Sequence, residues 1–270
     1  MKLDRITPIK ALGQNFLKDK NLANKIVDLL GDISAKNIVE IGPGMGALTD
    51  ILIERKANVF AIEKDKRAFD YLTQKYSGIS NFNVVNSDVR EVNLFDLDMS
   101  ELYVIGNIPY NISTDILFWT FDFASIIKNV VLTVQREVAE RICASPRTKD
   151  YGVTTIATKI YGKAKIAFHL PPSVFFPPPK VVSSALRIEF DDTYENIDKK
   201  EVMRLIKAVF LQRRKMINNS IRPYLSERQI SIEKLTIELE SRNLNYLKQR
   251  PEELQVDDFI NLYNIINEAS

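Results

Sequence analysis

Short apolar runs alternate with amphipathic stretches through the first two-thirds of the chain. Leu22, Ile26, Leu29 and Leu30 fall at helical spacing within residues 21–30. Apolar runs of strand length follow at residues 37–42 (NIVEIG), 58–63 (NVFAIE), 83–87 (NVVNS), 102–106 (LYVIG) and 129–135 (NVVLTVQ). Residues 47–55 and 66–76, lying between them, have helical character. Strands alternating with helices predict a parallel sheet covered on both faces. The pattern then changes: residues 164–170 and 183–190 are strand-like, and only PPSVFFPPPK separates them. Two such runs without a helix between them predict an antiparallel pair at a sheet edge. Polar, acid-rich residues 191–199 (DDTYENIDK) read as a linker. Beyond it the periodicity is helical, with Val202, Leu205, Ile206, Val209 and Phe210 on one stripe. The expected fold is α/β over residues 1–190, followed by a small all-α domain over residues 191–270.

Composition narrows the chemistry. The 270 residues are 45% hydrophobic and 27% charged, as in a soluble globular protein, and no apolar run reaches membrane-spanning length. Residues 1–17 lack the apolar core of a secretory leader and the Arg/Ser-rich character of a transit peptide, so a cytoplasmic protein is expected. One cysteine, Cys143, and one histidine, His169, can build neither an internal disulfide nor a His/Cys metal site. The same scarcity argues against catalysis by a Ser-His-Asp or Cys-His pair. The net charge of +2 hides an asymmetry: residues 147–187 hold seven Lys/Arg against one acid, and residues 200–222 again seven against one. The rest of the chain is net acidic. Two basic blocks on an acidic protein suit a polyanion partner, although solvated faces would look alike.

The first strand runs into Gly42-Pro-Gly44-Met-Gly46 and then a helix, so the turn can approach a ligand at a helix N-terminus. Glu63 closes the second strand, placed to accept hydrogen bonds from two ribose hydroxyls. The third strand ends in Asp88, a carboxylate suited to the exocyclic amine of an adenine. These three features fit NAD and S-adenosylmethionine alike, though the GxGxG spacing disfavours a dinucleotide. The fourth strand closes with Asn107-Ile108-Pro109-Tyr110, and this motif separates the two. An adenine amine has its lone pair delocalised into the ring. Hydrogen bonds from its two N–H groups to the Asn107 amide oxygen and the Ile108 carbonyl would aim that lone pair at a methyl carbon. Pro109 fixes the backbone, and Tyr110 offers a flat ring for an extruded base. Methyl transfer from a sulfonium needs positioning rather than a strong base, so the lack of histidine is consistent.

With these motifs in hand, the sequence closely resembles the small-subunit ribosomal RNA adenine dimethyltransferases, the KsgA family. The resemblance runs over LGQNFL (12–17), EIGPGMGALT (40–49), NIPYNIST (107–114), VQREVAERI (134–142), KDYG (149–152), FFPPPKVVSSALR (175–187) and QRRKMINNS (212–220). It implies a Rossmann-like class I methyltransferase sheet and S-adenosylmethionine as cofactor. The implied cofactor pocket comprises Asn15, Leu17, Gly42, Gly44, Glu63, Asp88 and Asn107, with Phe175 stacking on the target base opposite Tyr110. A buried core phenylalanine is the competing reading of Phe175. The family implies dimethylation of N6 of two adjacent adenosines in a hairpin loop near the 3′ end of small-subunit (16S) rRNA. A pre-30S particle would be the partner, late in assembly, with the protein a monomer and no metal or membrane involved. RNA phosphates are expected at Lys180, Arg204, Lys207, Arg213, Arg214 and Lys215, with the QRRK run on a helix. Erythromycin-resistance methyltransferases acting on large-subunit rRNA share the NIPY-type motif, and a mainly non-catalytic assembly factor would keep the RNA surface. A nicotinamide oxidoreductase fits the glycine turn, Glu63 and Asp88 but leaves the Asn-Ile-Pro-Tyr motif without a use.

Overall fold

Apolar, β-branched runs form strands wherever the pattern asks for them. The computed structural model describes residues 13–269; Leu12, the first residue of the LGQNFL motif, lies outside them. β1 (Phe16–Leu17) precedes α1 (Lys20–Asp28), whose N–H groups at Asn21 and Leu22 are capped by the Asp19 carboxylate. β2 (Asn37–Ile41), α2 (Thr49–Glu54), β3 (Asn58–Glu63), α3 (Lys66–Lys75), β4 (Phe82–Asn86), β5 (Leu102–Asn107), α4 (Ser113–Asp122) and β6 (Ile127–Gln135) then alternate. After α5 (Arg136–Ile142) and α6 (Val153–Tyr161) come β7 (Gly162–Leu170), the two-residue β8 (Phe175–Phe176) and β9 (Ser183–Phe190).

Seven strands make one sheet in the order β4-β3-β2-β5-β6-β9-β7. β4, β3, β2, β5 and β6 run parallel, while β9 lies antiparallel to β6, Ser183 facing Gln135 and Glu189 facing Asn129. This is the α/β, Rossmann-like methyltransferase architecture. The chain order reverses at β2, which has β3 on one side and β5 on the other, so a crevice opens at the carboxyl ends of these strands. β1 and β8 form a separate antiparallel ladder, Phe16 opposite Phe176 and Leu17 opposite Phe175.

The helical part comprises α7 (Lys199–Phe210), α8 (Ile217–Ser220), α9 (Arg222–Ser226), α10 (Ile232–Ser241) and α11 (Val256–Glu268). The stripe read on α7 is its buried side: Val202, Leu205, Ile206 and Val209 have no exposed surface. The chain divides into two compact units, one holding residues through 140 together with 163–190, the other holding 141–162 together with 191 onward. The boundary thus differs from a single cut after residue 190. Residues 141–162 join the helices because Ile156 and Ile160 of α6 are fully buried, with α6 packed on α7 and α11. Tyr151 of the KDYG motif, also fully buried, donates its hydroxyl to the Leu254 carbonyl at 2.8 Å. The expected linker is tied down too, with the Asp191 N–H donating to the Tyr161 carbonyl at 3.1 Å and the Tyr194 hydroxyl to Asp257. Among the described residues no helix is long and apolar enough to cross a membrane, and no cluster of His, Cys, Asp or Glu could hold a metal.

Candidate active site

The glycine turn lies at the crevice and is shaped by positive φ. Gly42, Gly44 and Gly46 have φ of +65°, +57° and +84°. A Cβ on Gly44 would stand 2.8 Å from the Phe16 ring, and one on Gly46 would strike the Tyr76 hydroxyl. On Gly42 it would meet nothing within 4 Å. Gly42 therefore fronts open space in the cavity wall, where a ligand can come close to the backbone. Glu63, 5% exposed, braces the turn: its Oε2 accepts the Gly44 N–H at 3.0 Å and its Oε1 the Asp65 N–H at 2.7 Å. Burial pushes its carboxyl pKa up, and these two bonds oppose the rise. Each oxygen retains a further lone pair for a ribose hydroxyl.

This geometry separates strain from ligand contact. Gly42→Ala is expected to cost about 1–2 kcal/mol of folding stability for the left-handed backbone, yet to weaken S-adenosylhomocysteine binding beyond tenfold. Gly44→Ala should lose both, because the Phe16 ring must also move. Calorimetric titration and urea unfolding on the two variants separate the effects, and unaltered affinity in Gly42→Ala would count against a ligand in that space.

Asp88 lies two residues beyond the end of β4, not at the strand end, and its carboxylate is already engaged. Oδ1 accepts the Arg90 N–H and Nε at 3.1 and 3.0 Å, and Oδ2 accepts Arg90 Nη2 and Lys64 Nζ, both at 2.7 Å. The Arg90 guanidinium, then Lys64, holds this carboxyl well below the usual carboxylate range. An amine arriving at Asp88 has to displace one of these donors; Lys64, with 56% of its side chain exposed, is the more weakly held. Asp65 is similarly gripped by Arg67 and by Gln14 Nε2 at 2.9 Å, which lowers its pKa to about 2.

Across the crevice, Asn107 closes β5. Its Nδ2 donates to the Asn15 carbonyl at 2.7 Å. The amide nitrogen is thereby committed to the protein, and the oxygen is the end left to accept. The N-terminal segment 13–17 passes over the motif, since a Cβ on Gly13 would stand 3.0 Å from Asn111 Oδ1 and 3.4 Å from Pro109 Cβ. Gly106 must be glycine, because a Cβ there would stand 2.7 Å from the Ile41 carbonyl of the adjacent strand. Pro109 has φ −60° and ψ 134°, turning the chain so that Tyr110 follows at the crevice. The Tyr110 hydroxyl is 2.5 Å from Ser183 Oγ, itself fully buried at the start of β9. Burial pushes the Tyr110 phenol pKa up.

One cavity brings together Asn15, Leu17, Gly42, Gly44, Glu63 and Asp88 with the four residues Asn107, Ile108, Pro109 and Tyr110. Phe175 is not among its walls. Its ring is 1% exposed and belongs to the hydrophobic core with Leu17 and Val174, which is the competing reading of this residue; the structure does not bring it into the cavity with Tyr110. Leu17 both joins that core and lines the cavity. Residues overlooked in the sequence include Glu40, 1% exposed in the cavity floor, its Oε2 accepting the Thr49 hydroxyl at 2.7 Å. Burial raises its pKa to about 8, the Thr49 bond opposing and Glu63 adding to the rise. A lone acid inside the apolar run NIVEI was the available signal. Nothing local marked Ser183 or Gln14.

Within the helical unit the basic residues have diverse fates. α7 stops at Phe210, and QRRK lies in turns instead of on a helix, because the next stripe positions are polar. Arg213 is held by Glu252 at 2.7 Å and by the carbonyls of Lys149 and Thr148 at 2.6 and 3.0 Å. Arg204 bonds Glu201 at 2.8 Å and Glu227 at 3.0 Å. Lys207, Arg214 and Lys215 are exposed, as is Lys180 in the other unit.

The chain is similar along nearly its whole length to known proteins. The model of the family described as ribosomal RNA adenine dimethylase matches residues 8–268. A ribosomal RNA small subunit methyltransferase A from Caldanaerobacter subterraneus subsp. tengcongensis is 36% identical over 267 residues, covering 95% of this chain and 96% of its own. Another of that description, from Bacteroides thetaiotaomicron, is 36% identical over 271 residues, covering 100% and 97%. Among solved structures, a dimethyladenosine transferase from Plasmodium falciparum superposes with a TM-score of 0.81 at 23% identity, covering 94% of this chain and 98% of its own. The 23S rRNA methyltransferase ErmE gives 0.69 at 23%, covering 94% and 100%. At those identities the two structures speak for the fold.

Proposed function

Because the chain belongs to the ribosomal RNA adenine dimethylase family, as an rRNA adenine dimethyltransferase of the KsgA type, we propose that it dimethylates N6 of two adjacent adenosines in a 3′-terminal hairpin loop of 16S rRNA. The substrate in this reading is a pre-30S particle late in assembly, and the methyl donor is S-adenosylmethionine. The observation that carries it is the Asn107 amide, anchored through its nitrogen on Asn15 and set beside Ile108, Pro109 and Tyr110 in the wall of one crevice. The relatives of 36% identity carry small-subunit names, which favours the small subunit over the large-subunit alternative.

The glycine turn with its open space at Gly42, Glu63 beside it and the carboxylate at Asp88 fit the cofactor, and Asn15 and Leu17 complete the wall. When bound, it supplies an electrophilic methyl carbon on a sulfonium. The protein supplies position: Asn107 Oδ1 and the Ile108 carbonyl accept the two amine N–H groups, and Tyr110 stacks on the base. Base–aromatic stacking is worth roughly 1–3 kcal/mol, comparable with the cost of unstacking an adenine. The deciding experiment incubates the protein with undermethylated small subunits and radiolabelled S-adenosylmethionine, then maps the modified nucleotides. Label in adjacent adenosines of the 3′-terminal hairpin is expected; label only in large-subunit rRNA would defeat the assignment.

Phosphate contacts are assigned to the exposed Lys180, Arg214 and Lys215, whereas Arg204 and Arg213 hold acids of their own. Arg214→Glu with Lys215→Glu should lower the log–log salt slope of particle binding by about 1.4–1.8 and leave cofactor affinity intact. Arg213→Ala should instead destabilise the helical unit, because it frees the Glu252 carboxylate and two carbonyls. If the double variant kept the wild-type slope, these cations would have no part in RNA binding.

A further inference from the structure

Adjacent residues of an extended segment point to opposite faces, and Phe175-Phe176 shows both outcomes. Phe175 is 1% exposed and belongs to the core, whereas Phe176 is 55% exposed. Its register partner across the β1–β8 ladder is Phe16. Directly opposed residues share a face of a ladder, so Phe176 lies on the face that carries Phe16. The Phe16 ring covers Gly44 and lines the cavity. Phe176 therefore extends that aromatic wall outward into solvent. The segment bearing it is held at one side by the Lys18 N–H on the Val174 carbonyl at 3.0 Å. On the other side Pro177, Pro178 and Pro179 restrict the backbone. Exposed Lys180 and Val181 follow directly.

We propose that Phe176 is a stacking platform for an unpaired base of the RNA substrate next to the one being methylated, with Lys180 serving an adjoining phosphate. The proposal rests on the rRNA methyltransferase reading and adds a second base subsite to it. Three features select a nucleotide as the occupant. The ring is flat and 55% exposed, which suits stacking by a base. A cation lies four residues along the same stiffened loop. The platform also continues the wall of the cavity that holds the Asn107 motif, so a strand delivering a base there must run past it. Phe175 leaves no free face for that role.

The test measures methyl transfer to undermethylated small ribosomal subunits by wild type, Phe176→Ala, Phe176→Leu and Phe176→Trp, with S-adenosylhomocysteine titrations alongside. Phe176→Ala and Phe176→Leu are expected to raise KM for the particle about 5- to 150-fold, the equivalent of one base–aromatic stack. Their kcat and cofactor affinity should hold, and Phe176→Trp should restore wild-type KM. The introduced tryptophan adds a direct reading, since its fluorescence should be quenched when the particle binds. Full activity in Phe176→Leu would show that bulk, not flatness, is used, and would overturn the proposal. So would a loss of cofactor affinity parallel to the rise in KM, which marks a packing role. If wild type labels the particle and Phe176→Ala matches it, only this inference falls. If wild type labels no small-subunit rRNA, the reading beneath it falls as well.

Discussion

Alanine at Asn107 is expected to slow methyl transfer about 100- to 1000-fold, the usual cost of removing one preorganised hydrogen-bonding group from a transition state. S-adenosylhomocysteine affinity should fall far less than the rate. The reason lies in which atom does which work. Nδ2 is spent on the Asn15 carbonyl at 2.7 Å, and that bond fixes the amide so that Oδ1 can receive an amine N–H. The amine nitrogen is the nucleophile and gains positive charge as its lone pair is given up, so an acceptor on its N–H binds the transition state more tightly than the ground state. Asn107→Asp tests the division. A carboxylate still accepts, but it faces the Asn15 carbonyl without a proton to donate. If acceptance dominates, Asp retains far more activity than Ala; if anchoring of segment 13–17 dominates, the two fall together. Equal losses of kcat and cofactor affinity in Asn107→Ala would end the proposed role.

The site was legible where the physics is local. Glycines after a strand, an acid at the next strand end and the Asn-Ile-Pro-Tyr turn each report a backbone requirement that neighbouring residues reveal. The crevice confirms their company, since β2, β3 and β5 deliver them to a common cavity. What failed was what depends on partners far along the chain. Phe175 and Phe176 are indistinguishable in sequence, and only the pairing of Phe175 with Leu17 decides which one enters the core. The β1–β8 ladder is two residues long in each strand, too short for any periodic signal. Arg213 looked like a phosphate ligand because Glu252, Thr148 and Lys149 are distant in the chain.

The end of α7 is a different case, because the sequence did contain the answer. Val202, Leu205, Ile206 and Val209 keep one stripe, and the positions that would continue it are Gln212 and Arg213. Leu211, off the stripe, is 85% exposed. Counting basic residues made QRRK look like one more helical turn, whereas the apolar period had already stopped.

Glu40→Gln is expected to stabilise the protein above pH 8 by roughly 3–5 kcal/mol relative to wild type, and hardly at all near pH 4.5. Glu40 is 1% exposed, and its pKa rises from 4.5 to about 8 in the fold. A group with a raised folded pKa contributes stability in its protonated form. That contribution is whole below 4.5, shrinks as pH climbs, and is gone once the folded group ionises above about 8. The facing charges are Glu63, Asp50 and Lys75, and the two acids outweigh the lysine. Glutamine keeps an oxygen for the Thr49 hydroxyl at 2.7 Å while carrying no charge at any pH. The gap between variant and wild type in urea unfolding should therefore widen steadily from pH 5 to 8 and then level off. A gap that does not change with pH would mean that Glu40 is not the buried acid that titrates. An acid kept in an apolar strand and lining the crevice is a candidate for the site, and the pH profile of this variant tests the burial on which that candidacy rests.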